Sequence, residues 1–150
     1  MPQSLAKNLI HLVYSTKNRE HMLTDAVREE LHRYSAGILK EWESPAILIN
    51  SVEDHIHILY SQSKNHSLAK IVEEVKKGSS RWIKTKGNSF AGFYWQNGYG
   101  AFSVSQSNAA QVTEYIRTQR EHHQNKSFQD EFREFLRRHE IPFDERYVWD

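Results

Sequence analysis

Asp54-His55-Ile56-His57-Ile58-Leu59 sets two histidines one residue apart inside an otherwise apolar run. On a strand, successive side chains alternate between faces. His55 and His57 therefore share one face, and Ile56, Ile58 and Tyr60 take the other. Imidazoles two positions apart stand about 7 Å apart along a strand, within reach of one divalent ion. Immediately upstream, Ala46-Ile47-Leu48-Ile49-Asn50-Ser51-Val52 reads as a second strand. Glu53-Asp54 is short enough for a hairpin turn, so the two strands pair antiparallel.

Further toward the N-terminus, Pro45 stops a helix that Thr24 can cap and that carries Val27, Leu31, Tyr34 and Ile38 at helical spacing. Residues 8–15, Asn-Leu-Ile-His-Leu-Val-Tyr-Ser, are apolar at nearly every position, as in a strand buried on both faces. Thr16 to His21 is a polar loop holding Lys17 and Arg19. Downstream of the histidines, Ser67 caps a helix over about 68–85 with Leu68, Ile71, Val72, Val75, Trp82 and Ile83 on its apolar face. Gly78-Ser79-Ser80 in its middle predicts a bend or a close approach by another backbone. Phe93-Tyr94-Trp95 fits a short strand, Gly98-Tyr99-Gly100 a turn, and residues 101–105 an alternating strand. Asn108 with Gln111 resembles a capping box for a helix over 109–123. Ser127 and Asp130 open a last helix with Phe128, Phe132, Phe135 and Leu136 on one stripe. Phe143, Tyr147 and Trp149 give the tail something to pack with.

The order strand, helix, strand, strand, helix, strand is that of a split βαβ unit. It predicts an α+β, ferredoxin-like (RRM-like) antiparallel sheet. Two helices would cover one face and leave the other open unless the extra C-terminal helices cover it. One domain over 1–150 is expected, with a core of about 7–123 and a C-terminal helix and tail over 127–150.

The bulk numbers narrow the chemistry. With 38% hydrophobic and 26% charged residues the composition is that of a soluble globular chain. No apolar run nears the roughly 18 residues of a membrane span, and the start lacks a signal-peptide pattern. Absence of Cys excludes disulfides, thiolate zinc sites and thiol nucleophiles, and suits a reducing cytoplasm. A net charge of +1 means that any nucleic-acid surface is a local patch. Lys70, Lys77, Arg81 and Lys84 fall within about 60° of one another on the second helix, a stripe suited to phosphate contact. Glu73 and Glu74 flank it. Lys17 and Arg19 form a second basic pair, while Tyr94, Trp95 and Tyr99 are candidates either for base stacking or for packing.

The helix over 109–123 lines up Tyr115, Gln119 and His122 along one edge, with His123 next in sequence. Docked on the open sheet face, it would bring a phenol and an amide to His55 and His57. That set suits phosphoryl transfer: imidazoles and an amide oxygen can hold a divalent cation with sites left for phosphate oxygens. A tyrosine at its normal pKa of about 10 needs such help to act as a nucleophile.

His55-Ile56-His57 on a strand, followed by Tyr115-Ile116-Arg117-Thr118-Gln119 on a helix, resembles the single-tyrosine HUH transposases of small insertion sequences, the TnpA type with its REP-associated tyrosine transposase relatives. Residues 13–19, Trp95-Gln96-Asn97-Gly98-Tyr99 and Phe102-Ser103-Val104-Ser105 share the likeness, which runs from about residue 7 to 140. The resemblance implies attack by Tyr115 on single-stranded DNA, giving a 5′-phosphotyrosine and a free 3′-hydroxyl. His55, His57 and Gln119 would be the ligands of Mg²⁺ or Mn²⁺. His122 and His123 are candidates for the metal shell or for acid–base work. It further implies imperfect-hairpin DNA as partner, a homodimer with composite active sites, no organic cofactor, no membrane, and a bacterial or archaeal cytoplasm close to the nucleoid. Two rival readings start from the same residues: an RRM-like single-strand-binding module without chemistry, and a metal phosphodiesterase that uses water, with Tyr115 structural.

Overall fold

The structure is a computed structural model that describes residues 2–122 and 125–150. Four strands, β1 (Leu9–Ser15), β2 (Ala46–Ser51), β3 (His55–Ser61) and β4 (Gly100–Val104), form one sheet in the order β2-β3-β1-β4. Every pairing is antiparallel. With α1 (Asp25–Glu41) and α2 (Leu68–Ile83) as crossovers, this is the predicted ferredoxin-like arrangement. The inner position of β1 explains its unbroken apolar run, since all seven of its residues are buried.

The strand period divides the sheet into two cores. Ile10, Leu12 and Tyr14 of β1 and Ile56, Ile58 and Tyr60 of β3 face α1 and α2, where Leu31, Leu39, Ile71, Val75 and Ile83 meet them. The other face is covered by α3 (Ala109–Arg117), α4 (Gln119–His122) and α5 (Phe128–Arg138). There Val13 and Phe102 pack against Phe128, Phe132, Phe135 and Leu136. The aromatic stripe of α5 is thus core. Gly100 makes this docking possible, because a Cβ there would stand 2.6 Å from the Phe132 ring. The tail joins in through Trp149, whose ring lies 6.0 Å from that of Phe132, whereas Tyr147 stays exposed.

Ser67 and Ser127 cap α2 and α5 as the sequence predicts, accepting from the amides of Lys70 and Asp130. Elsewhere the structure corrects the sequence. Thr24 makes no side-chain cap bond. Neither does Asn108, whose backbone is already turned (φ −100°, ψ −2°) by a 3-10 turn over 106–108; a capping side chain needs an extended residue. Phe93-Tyr94-Trp95 is not a strand but a single bridge from Trp95 to Thr16, because β4 occupies that edge of β1 as far as Val13. At Gly78 the close approach is by the Ile38 side chain of α1, not by a backbone.

The predicted 109–123 helix breaks at Thr118. Asn50 of β2 causes the break: its Nδ2 donates to the carbonyls of Ile116 (2.8 Å) and Arg117 (3.2 Å). These are the acceptors that a continuing helix would have used. The same bonds tie the end of α3 to the sheet.

Candidate active site

His55 and His57 lie on the sheet face away from α1 and α2, both wholly buried, with ring centroids 5.2 Å apart. Each ring is fixed from behind. Nδ1 of His55 is 2.6 Å from Asp54 Oδ1, and Nδ1 of His57 is 2.8 Å from Nε2 of His11, its diagonal neighbour on β1. Both Nε2 atoms consequently turn to the same point, and Glu131 of α5 stands there. Its Oε1 lies 2.9 Å from His57 Nε2 and 3.4 Å from His55 Nε2. Its Oε2 accepts a hydrogen bond from the Tyr115 hydroxyl. Histidine pair, carboxylate and phenol form one continuous network within the chain.

Glu131 reaches this position because its helix is amphipathic. It stands three residues after Phe128 and one before Phe132, on the stripe that docks against the sheet, and it is only 1% exposed. A carboxylate is stable there only when paired. The sequence carried a signal for it, an acidic residue on an aromatic stripe at i+3, although the apolar positions drew the reading. His11 and Asp54 were likewise missed. The period of two does put His11 on the histidine face of β1.

The charges follow the geometry. Burial is the largest influence on His55 and lowers its pKa, but the hydrogen bonds and charges of Asp54 and Glu131 together carry it above the ordinary value. Burial, then the neighbouring His57, hold His11 well below its ordinary value, so it stays neutral. Tyr115 is pushed far up, first by burial and then by the Glu131 carboxylate. Gln119 is fully buried beside it; its amide donates to the Tyr115 carbonyl at 3.3 Å, and its side chain also hydrogen-bonds the phenol. The phenol keeps its proton in this state and delivers it toward Glu131.

His55, His57 and Glu131 fit a divalent cation. Their donor atoms lie within 4.8 Å of one another, two imidazoles and a carboxylate leave coordination positions open, and the partners behind the two rings set their orientation. The side chain of His122, and His123 altogether, lie outside the described residues.

The basic residues are placed less simply. α2 packs on the opposite side of the sheet, so Lys70, Lys77, Arg81 and Lys84 are separated from the histidines by the sheet itself. Lys70 and Lys77 both pair with Glu74 at 3.0 Å. Lys84 and Lys17 converge on exposed Tyr94, 4.5 and 5.8 Å from its ring centre. Arg19 lies over Trp149. Trp95 is buried, its indole N–H donating to Ser79, and so serves the core.

Comparison with known proteins now defines the class. Residues 4–119 match the family model described as IS200-like transposase, and the chain belongs to that family. Among individual relatives, it is 25% identical over 114 residues to the ISDra2 transposase TnpA of Deinococcus radiodurans, covering 73% of this chain and 81% of that protein. The fold is similar to that in a crystal structure of a protein assigned as a transposase from Deinococcus radiodurans R1. There the TM-score is 0.62 at 24% identity, over 79% of this chain and 98% of that one. It is also similar to that of a REP-associated tyrosine transposase bound to a REP hairpin, with a TM-score of 0.59 at 12% identity, over 82% and 73% of the two chains. Glu131 lies beyond the residues that match the family model. Among the described residues no helix is long and apolar enough to cross a membrane.

Proposed function

We propose that the protein cuts and rejoins single-stranded DNA at hairpin-bearing element ends, with Tyr115 as nucleophile, and that its site works within one chain. The observation that carries this reading is the meeting of the His55–His57 pair and the Tyr115 hydroxyl on the two oxygens of Glu131. The phenol oxygen forms a bond to the scissile phosphorus while the bond from phosphorus to the 3′ oxygen breaks. The phenol proton passes to Glu131 Oε2, and the leaving 3′ oxygen takes up a proton from water. The 5′-phosphotyrosine so formed is still a diester, so the reverse attack by a 3′-hydroxyl rejoins strands without ATP.

His55, His57 and Glu131 would hold Mg²⁺ or Mn²⁺, with the Gln119 amide as a further oxygen ligand. Bound there, the cation polarises the phosphate and offsets developing charge. Ligation through Nε2 requires His57 to carry its proton on Nδ1, where neutral His11 can accept it. Asn50 holds the end of α3, and with it Tyr115, over the site. Hairpin DNA as the ligand rests on the family and on the hairpin-bound relative. The whole of 1–150 acts as one cytoplasmic domain in this reading, since α5 supplies a site residue. Dimerisation is a separate property, measurable by sedimentation.

The test is a covalent protein–DNA adduct on a denaturing gel after incubation with single-stranded hairpin DNA from the element's own ends and Mn²⁺. An adduct that Tyr115→Phe abolishes is expected. Cleavage that survives Tyr115→Phe would instead establish a water-using phosphodiesterase, and binding without cleavage a non-catalytic module.

A further inference from the structure

Beside the metal and nucleophile site, and opening from it, lies a cleft of about 450 Å³ between β4, the first turns of α3 and the last turn of α5. The volume falls in the range of small-ligand sites, roughly 300–1,000 Å³. Tyr115 forms part of its wall, so whatever fills the cleft sits next to the atom that attacks. Its floor is aromatic: Phe102 and Phe135 are stacked with centroids 5.3 Å apart. Val112 makes an apolar side.

The rim is polar. Asn108 and Gln111 are exposed on the cleft, and neither side chain makes a hydrogen bond among the described residues. Each amide offers a donor and an acceptor together, the combination that a base edge requires. Arg138 lines both this cleft and the small cavity over Tyr115 and Glu131, with its guanidinium 5.9 Å from the Phe135 ring centre. It forms no ion pair among the described residues. A cation between the nucleophile and the cleft matches a phosphate flanking the one under attack.

We infer that this cleft seats one unpaired DNA base next to the scissile phosphate, with Asn108 and Gln111 reading its edge and Arg138 holding the adjoining phosphate. The cleft rests on the single-strand reading proposed above and adds to it a protein-borne source of sequence preference. Of the residues that line it, Tyr115 and His11 belong to the metal and nucleophile network, whereas Asn108, Gln111, Val104 and Arg138 do not. Damage to the rim is therefore separable from damage to the chemistry.

The experiment uses the full chain carrying Tyr115→Phe, which makes no adduct, so binding is scored without chemistry. The probes are fluorescent single-stranded octamers of dA, dC and dT and an abasic octamer. At least one base-bearing probe is expected to bind about tenfold tighter than the abasic one, the scale of one stacked base. Val104→Trp, a half-buried β4 position on the same sheet face as Phe102, puts its ring into the cleft and should close that gap. Asn108→Ala with Gln111→Ala, both on exposed positions that leave the fold intact, should level the affinities among the three bases. A gap that is absent from the start overturns the inference, as does one that persists in both variants. A gap that Tyr94→Ala removes while Val104→Trp leaves it unchanged moves base contact elsewhere and also overturns it. The adduct assay with unmodified Tyr115 reports separately on the transferase reading, so the two can fail independently.

Discussion

Ile56 and His57 are neighbours in sequence and equally buried, yet they belong to regions with different purposes. Ile56 joins the face of the sheet that α1 and α2 cover, where the side chains are nearly all apolar. His57 joins the face under α3 and α5, where His11, His55, Glu131 and Tyr115 are packed among aromatic rings. The first face holds the fold together by apolar burial. The second buries ionisable groups, whose desolvation cancels much of what their pairing returns. A cluster of this kind is poor evidence of stabilisation. Its value lies in what it positions, so the two faces should respond to mutation in opposite ways.

The largest effect should come from the polar face and appear in activity. His57→Ala or Glu131→Gln removes a donor from the proposed cation site and should lower the rate of adduct formation by roughly a thousandfold, the scale of several kcal/mol of transition-state stabilisation. Titration with Mn²⁺ followed by electron paramagnetic resonance should show the same loss without reference to catalysis. If these variants bind Mn²⁺ as the parent does, the polar face is a structural network and the contrast collapses.

Next in size is the apolar face, read in stability. Leu12→Ala or Ile58→Ala should cost about 2–5 kcal/mol in urea denaturation, because each leaves a cavity among fully buried neighbours. At temperatures where the variants remain folded, Mn²⁺ binding should be unchanged.

The histidines sharpen the comparison through pH. His32, on α1, hydrogen-bonds Ser51 at 2.8 Å, and burial, aided by the Arg28 charge, lowers its pKa from 6.5 to about 4. Between those values the unfolded chain takes up a proton that the folded one refuses. Stability should therefore fall as pH drops from about 6.5 toward 4, by about 2 kcal/mol once partial exposure is allowed for. His55 has the opposite sign, its contribution being lost as pH rises through its raised folded value. His32→Gln should flatten the acid limb of a denaturation-midpoint profile between pH 7 and pH 5. A slope unchanged by this substitution would remove His32 as its source.

The smallest effect involves two phenols. Tyr14 is wholly buried on the apolar face, and its hydroxyl has no hydrogen-bond partner among the described residues. Tyr14→Phe should be neutral or raise stability by about 1 kcal/mol, because it relieves an unsatisfied buried group. The same substitution at Tyr115 should leave the fold nearly as stable and end adduct formation. A Tyr14→Phe variant that unfolds more easily would show that the hydroxyl has a partner after all.

Much of this contrast was legible before any coordinates. The alternation His55-Ile56-His57-Ile58 assigns each side chain to a face, and the order of strands and helices gives the sheet its topology. Ser67 and Ser127 marked their helices correctly. Thr118 did not mark a break, because the cause is Asn50, a side chain from another strand far away in the chain. The spacing of Lys70, Lys77, Arg81 and Lys84 said nothing about a side, and α2 lies across the sheet from the histidines.

What the sequence by itself determined was local and periodic: which residues share a face, which elements follow one another, and the two histidines with a tyrosine four residues before a glutamine. These depend on backbone repeat alone. Tertiary structure alone decided that Glu131 would stand between the histidines and Tyr115, that His11 would hold His57 from behind, and that one chain would bring the network together. Those facts depend on where α5 docks. That docking is set by the fit of Phe132 over Gly100 and of the aromatic stripe against Phe102, contacts between parts of the chain that no local pattern relates.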